Sequence, residues 1–270
     1  MKNRYIPVII CAAISLCALT ACADSTSSAN DTGSSSRQTT TSTTTEQTTD
    51  FSTVQTTAEP VQPAHGDLTD SIKWELTEQG ALILTGSGDM PPLLGGRAPW
   101  YDHRRQITSI TISDKITSIG SGAFSGCWGI TQMTIPDSIT AIGESAFYNC
   151  ENLKEITVPD SVTSFGQCIF WRCFALEKVV IGKGVKELPF DTFCRCKNLK
   201  DVTLSEGLER LGNTCFEYCE SIRDIYIPSS VSEFGFCIFP DDSSKITIKS
   251  KAGSPAQEYA QKHSIKFEAV

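Results

Sequence analysis

The sequence predicts an α/β solenoid of 23-residue units, and three columns of residues carry that prediction. Written in rows of twenty-three, the stretch from Ile112 to Phe239 aligns Ile112, Ile135, Val158, Ile181, Leu204 and Ile227. It places a phenylalanine in every row, at Phe124, Phe147, Phe170, Phe193, Phe216 and Phe239. It also aligns Cys127, Cys150, Cys173, Cys196 and Cys219, and no insertion or deletion interrupts the rows. A fixed period of this size marks a repeat array, in which each unit buries its apolar side only by stacking on its neighbours.

Within a row, Leu153, Ile156 and Val158 set an LxxIxI spacing that later rows keep, as in Leu176, Val179 and Ile181. Alternation of β-branched residues over such a short run predicts a strand with one buried face. Turn residues follow, Pro-Asp-Ser at Pro136 and Pro159 or Gly-Lys-Gly at Gly182, with Asp or Ser expected to bond nearby backbone. A second apolar pair comes next, as in Val162 and Phe165. Gly120, Gly143, Gly166, Gly212 and Gly235 then share a column that Pro189 interrupts, so this corner does not require a positive φ. The Phe and Cys are expected on a short helical or 3₁₀ turn.

The recurring IPDSITAIGESAFYNCENLKEITV resembles the BspA-like leucine-rich repeat, and the resemblance covers 107–248. It implies a parallel sheet on one face of a curved solenoid, with helical turns or loops on the other. It further implies a bacterial cell-surface protein, and adhesion to host proteins is a role of some family members. Fold follows from such a resemblance far more directly than function does.

Ahead of the repeats, Met1 to Arg4 is a short basic start and Tyr5 to Ala21 is mostly apolar, too short to span a bilayer comfortably. Residues 1–21 are therefore expected to be a secretory signal. It ends in Leu19-Thr20-Ala21-Cys22, which resembles the bacterial lipobox. By that resemblance Cys22 becomes the lipid-modified N-terminus and anchors the protein to the extracellular face of the membrane. Residues 22–65 are expected to be a disordered tether: from Ser25 to Thr57, 21 of 33 residues are Ser or Thr, too few of them apolar to offset the entropy of ordering. Such a tract serves equally as a glycosylated stalk or as a plain solvated spacer.

Residues 66–106 are expected to cap the first row, since a solenoid end exposes apolar surface. Trp74-Glu-Leu76 and Leu82-Ile-Leu84 flank a Gly80 turn and predict a hairpin, which Trp100 is placed to join to the stack. The Gly86-Ser-Gly88 run lacks the remainder of a nucleotide fingerprint. Beyond Phe239 the columns stop. Residues 249–270 are expected to form the second cap: Ser254-Pro255 starts a helix over Ala256 to Lys262, and Ile265-Lys-Phe267 closes as a strand.

The whole chain carries −8, and removing Lys2 and Arg4 with the signal leaves 21 basic against 31 acidic residues. That balance argues against a nucleic-acid partner. Of twelve cysteines, nine remain once Cys11 and Cys17 leave with the signal and Cys22 takes lipid. The Cys column supplies identical ligands with no convergent geometry, so no metal site is expected from it. Buried thiols filling the row interior are the simpler reading; export permits disulfides, and Cys215 with Cys237 would be the first pair to test. The histidines, His65, His103 and His263, fall in the tether, the first cap and the terminal helix, and form no nucleophile–base set. Neither catalysis nor a cofactor is expected.

Surface recognition is left. Side chains between the buried strand residues point outward and form two columns. One reads Thr111, Thr134, Thr157, Val180, Thr203, Tyr226; the other reads Ser109, Gln132, Glu155, Lys178, Asp201, Asp224. A binding face is expected over Glu155, Thr157, Lys178, Val180, Asp201, Thr203, Asp224 and Tyr226, against the alternative of a merely solvated sheet. A second candidate is the turn side, with Trp128, Tyr148, Trp171, Phe174 and Tyr218. Two functions fit: a lipid-anchored module binding an extracellular protein of a host or neighbouring cell, or a structural or glycan-binding component of the envelope.

Overall fold

The computed structural model describes residues 61–270; the expected signal, Cys22 and the tether up to residue 60 lie outside the described residues. The first cap is formed by β1 (Ala64–Asp67), β2 (Ile72–Leu76), β3 (Ala81–Gly86) and β4 (Gly88–Asp89). Strands β2 and β3 are the expected hairpin, and β1 adds a third antiparallel strand, with Ala64 opposite Leu76. Ala64 and His65, assigned to the tether by composition, thus belong to a strand. The rows then contribute one strand to each of two faces: β5 (Ser109–Ile112) and β6 (Ile116–Ile119), β7 (Gln132–Thr134) and β8 (Ala141–Ile142), β9 (Glu155–Val158) and β10 (Ser164–Phe165). They continue with β11 (Lys178–Ile181) and β12 (Glu187–Leu188), β13 (Asp201–Leu204) and β14 (Arg210–Leu211), β15 (Asp224–Tyr226) and β16 (Glu233–Phe234). The second cap is β17 (Thr247–Ser250), α1 (Pro255–Lys262) and β18 (Lys266–Ala269).

The front face is a parallel ladder with a register of one row. Lys178 lies between Glu155 and Asp201, and Val180 between Thr157 and Thr203. The ladder's hydrogen-bonded rungs fall into three groups, β3–β5, β7–β9–β11–β13 and β15–β17–β18, and the N-terminal hairpin joins the first through β3, which pairs in parallel with β5. At the other end β17 pairs with both β15 and β18. The caps are therefore extra rungs, which cover the apolar ends of the repeat array.

The second face breaks in two, β4–β6–β8–β10 and β12–β14–β16, and Pro189 accounts for the break. At this corner the Gly143 N–H bonds Ile119 O at 2.8 Å and the Gly166 N–H bonds Ile142 O at 2.9 Å. Gly212 and Gly235 repeat the bond to Leu188 and Leu211. Pro189 has no N–H to offer Phe165 in the row before it. The glycines themselves are required by space. A Cβ at Gly143 would meet Ser121 N at 2.5 Å, and one at Gly166 would meet Glu144 N at 2.4 Å. None of that column has positive φ, as the presence of Pro189 implied.

Two residues further on, the backbone is left-handed in each of these rows: Gly122, Ser145, Cys168, Asp191, Thr214 and Cys237. No helix forms in the rows; the expected helical or 3₁₀ turn is reduced to single i→i+3 bonds between the Phe carbonyl and the Cys N–H. An α-helix is about 10 Å wide, whereas paired strands repeat about every 4.8 Å, so helices cannot stack on every row of a straight ladder. Instead the N–H groups alternate. Phe147 N–H reaches Ile169 O in the next row at 3.0 Å, while Cys150 N–H turns back to Phe147 O at 3.2 Å. The serines of Pro-Asp-Ser likewise bond the preceding row, Ser161 Oγ to Ile139 O at 2.7 Å, rather than nearby backbone.

Through the interior runs one file of rings. Trp74 meets Trp100 at 5.9 Å, Trp100 meets Phe124 at 6.2 Å, and the phenylalanines follow at 5.3–5.8 Å to Phe239, which meets Tyr259 at 6.4 Å. Each cap thus contributes an aromatic to the file. Trp100 satisfies its own N–H on Ala123 O at 2.8 Å, which a buried indole requires.

Beside the rings stands the cysteine column, buried throughout. Cys150, Cys173, Cys196 and Cys219 each direct the thiol at the phenylalanine carbonyl of the preceding row, at 3.1–3.2 Å. Burial pushes the Cys127 and Cys173 thiols up to about 12. These are inert packing groups: burial outweighs even the Arg104 guanidinium that acts on Cys127. Cys215 is a buried free thiol, so it forms no bridge to Cys237.

Candidate functional site

The front strands turn their polar side chains outward because the alternate positions hold the interior. In β9, Ile156 and Val158 are buried while Glu155 and Thr157 are exposed. The same alternation exposes Lys178, Asp201, Thr203, Asp224 and Tyr226, and leaves Val180 half-buried. All eight side chains proposed from sequence therefore share one face.

The structure separates them into two groups. A hollow of about 990 Å³ lies over the first rungs, reaching from Ser109 and Gln132 to Glu155, Thr157, Lys178 and Val180. Its lining mixes threonines, such as Thr111, Thr134 and Thr157, with apolar groups, such as Ile112, Met133 and Ile156. Asp201, Thr203, Asp224 and Tyr226 extend the face beyond the hollow. Tyr226 is held by its hydroxyl, which donates to Glu206 Oε1 at 2.8 Å. That bond to a carboxylate is the main reason its phenol is raised above its usual range.

Charges alternate along each row, and across the rungs from Glu155 through Lys178 to Asp201, after which Asp224 repeats the acid. Lys154 precedes Glu155, Glu177 precedes Lys178, Lys200 precedes Asp201 and Arg223 precedes Asp224. Across the rungs, Glu155, Lys178 and Asp201 line up in register, and Lys200 Nζ sits 2.7 Å from Glu177 Oε2. Such exposed pairs contribute little stability. Their consequence is a surface of balanced charge that offers a partner both signs at fixed spacing, which sets orientation more than affinity. This checkerboard was present in the sequence; it needed the row register to be recognised.

The aromatic turn side does not form a comparable surface. Trp171 is buried and packs on Tyr148 at 5.2 Å, while Arg105 covers Trp128 and Arg195 covers Tyr218. These rings bridge rows. Tyr218 is the exposed member of the set, at 37 %. The histidines serve the caps: His103 lies in a 3₁₀ turn, and His263 stacks on Tyr259 at 4.3 Å. Among the described residues one group of metal-capable side chains comes together, Asp191, Cys194 and Glu217, which lie in turns rather than on the strand face.

Among the described residues no helix is long and apolar enough to cross a membrane. No curated protein matches the chain. Among solved structures, the chain is similar to a leucine rich cell surface protein from Faecalibacterium prausnitzii A2-165, at 24 % identity and a TM-score of 0.50. That match covers 70 % of this chain and 55 % of that one. It is also similar to a leucine-rich repeat protein from Eubacterium ventriosum ATCC 27560, at 21 % identity and a TM-score of 0.37, over 72 % of this chain and 73 % of that one. The sequence matches the BspA type leucine rich repeat region in six copies, over residues 100–166 and 117–247. The period, the parallel rungs and this match agree: the chain belongs to the BspA-type leucine-rich-repeat family.

Proposed function

We propose that this protein is a lipid-anchored extracellular binding module that presents its front sheet to a protein ligand, in the manner of an adhesin, and that it performs no catalysis. The observation that carries this reading is the hollow over β5, β7, β9 and β11. In-register rungs make it rigid before a partner arrives, so binding does not have to order it. The site comprises Glu155, Thr157, Lys178 and Val180 in the hollow, with Asp201, Thr203, Asp224 and Tyr226 as its extension. Membership of the repeat family supports a surface-recognition role, and the lipobox-like Cys22 supports an anchor at the outer side of the membrane.

The experiment is a pull-down from host and neighbouring-cell surface extracts beside a glycan array. A protein partner whose binding falls with Thr157→Arg, which fills the hollow, and with Lys178→Glu, which breaks the alternation, supports the reading. Tyr218→Ala, on the turn side, is the control. Retention by glycans alone would move the protein to the second reading, a glycan-binding envelope component.

A further inference from the structure

We infer that Asp191, Cys194 and Glu217 form a binding site for a divalent cation of the zinc class, on the turn side of the rows. The inference is independent of any ligand on the sheet face. Two features of the repeat bring the side chains together. Asp191 and Cys194 are the ends of one turn, closed by the Cys194 N–H on Asp191 O at 3.3 Å. Glu217 holds the same place as Cys194 one row later, so its Oε2 comes to 3.9 Å from Cys194 Sγ. The three donor atoms lie within 4.8 Å of one another. Asp191 is 6 % exposed and Cys194 4 %, while Glu217 is half-buried. Asp191 Oδ1 accepts the Thr214 hydroxyl at 2.6 Å, which orients the carboxyl, and the Cys194 thiol bonds to the same carboxyl.

The repeat supplies its own comparison. Where Asp191 stands, other rows have Gly122, Ser145, Cys168, Thr214 and Cys237; where Cys194 and Glu217 stand, they have Ser125, Tyr148, Trp171 and Pro240. No other row places an acid in either column, so the fold does not need one there. A left-handed φ of 57° suits Asp191, but it explains neither Glu217 nor Cys194. Burial raises all three groups above their usual ranges, and Asp241 adds to the effect on Glu217, while Arg195 opposes it. Two carboxyls and a thiol, with Glu217 half-buried, are thus gathered within the field of the Arg195 guanidinium, which itself lies over the Tyr218 ring. A cation with one thiolate and two carboxylate ligands would resolve that arrangement.

The donor set selects the metal. Thiolate favours Zn²⁺ or Cd²⁺, whereas Mg²⁺ and Ca²⁺ take oxygen. Binding proceeds as Cys–SH + M²⁺ → Cys–S–M⁺ + H⁺, with the ionised carboxylates joining directly and water taking the fourth position. Donors around tetrahedral zinc stand about 3.3–3.7 Å apart, so the trio must close by about 1 Å, which the partly exposed Glu217 can supply.

The test titrates the reduced, chelator-treated full chain with Cd²⁺, following thiolate-to-cadmium ultraviolet absorption, and with Zn²⁺ by calorimetry. One tight equivalent is expected, weakening as pH falls because a proton leaves, and insensitive to excess Mg²⁺. Cys194→Ser removes that equivalent, and Glu217→Gln, at a partly exposed position that leaves folding intact, weakens it at least about tenfold. Cys237→Ser, at another thiol of neighbouring rows, leaves it unchanged. Absence of a saturable equivalent in the wild type overturns the inference. So does an equivalent that persists unaltered in Glu217→Gln, or one that disappears with Cys237→Ser instead of Cys194→Ser.

Discussion

Cys173 donates its thiol to the carbonyl of Phe147, one row earlier, at 3.2 Å. The same oxygen already accepts the Cys150 N–H. The cysteine column therefore fills the space beside the ring file and occupies second acceptor sites that would otherwise be empty. Serine would be smaller and more polar, and leucine would not fit beside a stacked ring. Small, weakly polar cysteine satisfies both demands.

Removing one rung of this column should be felt as a small cavity. Cys173→Ala is expected to cost about 1–2 kcal/mol in chemical denaturation, most of it from lost packing. Reductant should leave the wild-type melting curve in place. A large drop on reduction would mean that bridges, not packed thiols, hold the rows.

Gly143 and Ser145 lie two residues apart and should respond differently. A methyl group at Gly143 collides with Ser121 backbone at 2.5 Å, so Gly143→Ala is expected to cost about 2–3 kcal/mol. Ser145 has a φ of 56°. Ser145→Gly relieves a left-handed residue while adding unfolded-state freedom, for a net change within about 1 kcal/mol. Urea unfolding of the two variants measures the difference directly.

Asp191 makes the metal-free fold more stable in mild acid. Burial is the main cause that lifts its carboxyl above the usual range, against the Thr214 hydroxyl bond. An acid that holds its proton more tightly when folded loses stability for the fold as pH rises from the unfolded value through the folded one. Asp191→Asn should therefore raise stability at pH 7 by about 1 kcal/mol and flatten this part of the pH profile. Thermal melts with chelator, from about pH 4 to pH 7, would show whether the slope depends on this residue.

The anchor is tested apart from the fold. Cys22→Ser is expected to release the protein from the membrane fraction or to leave its precursor uncleaved. Acyl labelling and membrane retention that survive the substitution would remove lipid attachment from the proposal.

Much of this molecule was legible because a repeat states each structural demand several times. The Phe column could be placed in the interior from sequence because a ring in every row has no other common place to pack. Lys178 and Tyr226 could be placed outward because strand alternation leaves no choice once Val179 and Ile225 are inside. Pro189 told in advance that its corner tolerates negative φ. Three-dimensional stacking decided the rest. The row spacing cut the expected turns to single i→i+3 bonds, since other backbone N–H groups of the same turn had to serve the next row. The hollow arose from the depth of side chains across four rungs, a property of no single row. Asp191, Cys194 and Glu217 met because a turn and a one-row register act together, and a sequence read one row at a time keeps Glu217 twenty-three residues away from Cys194.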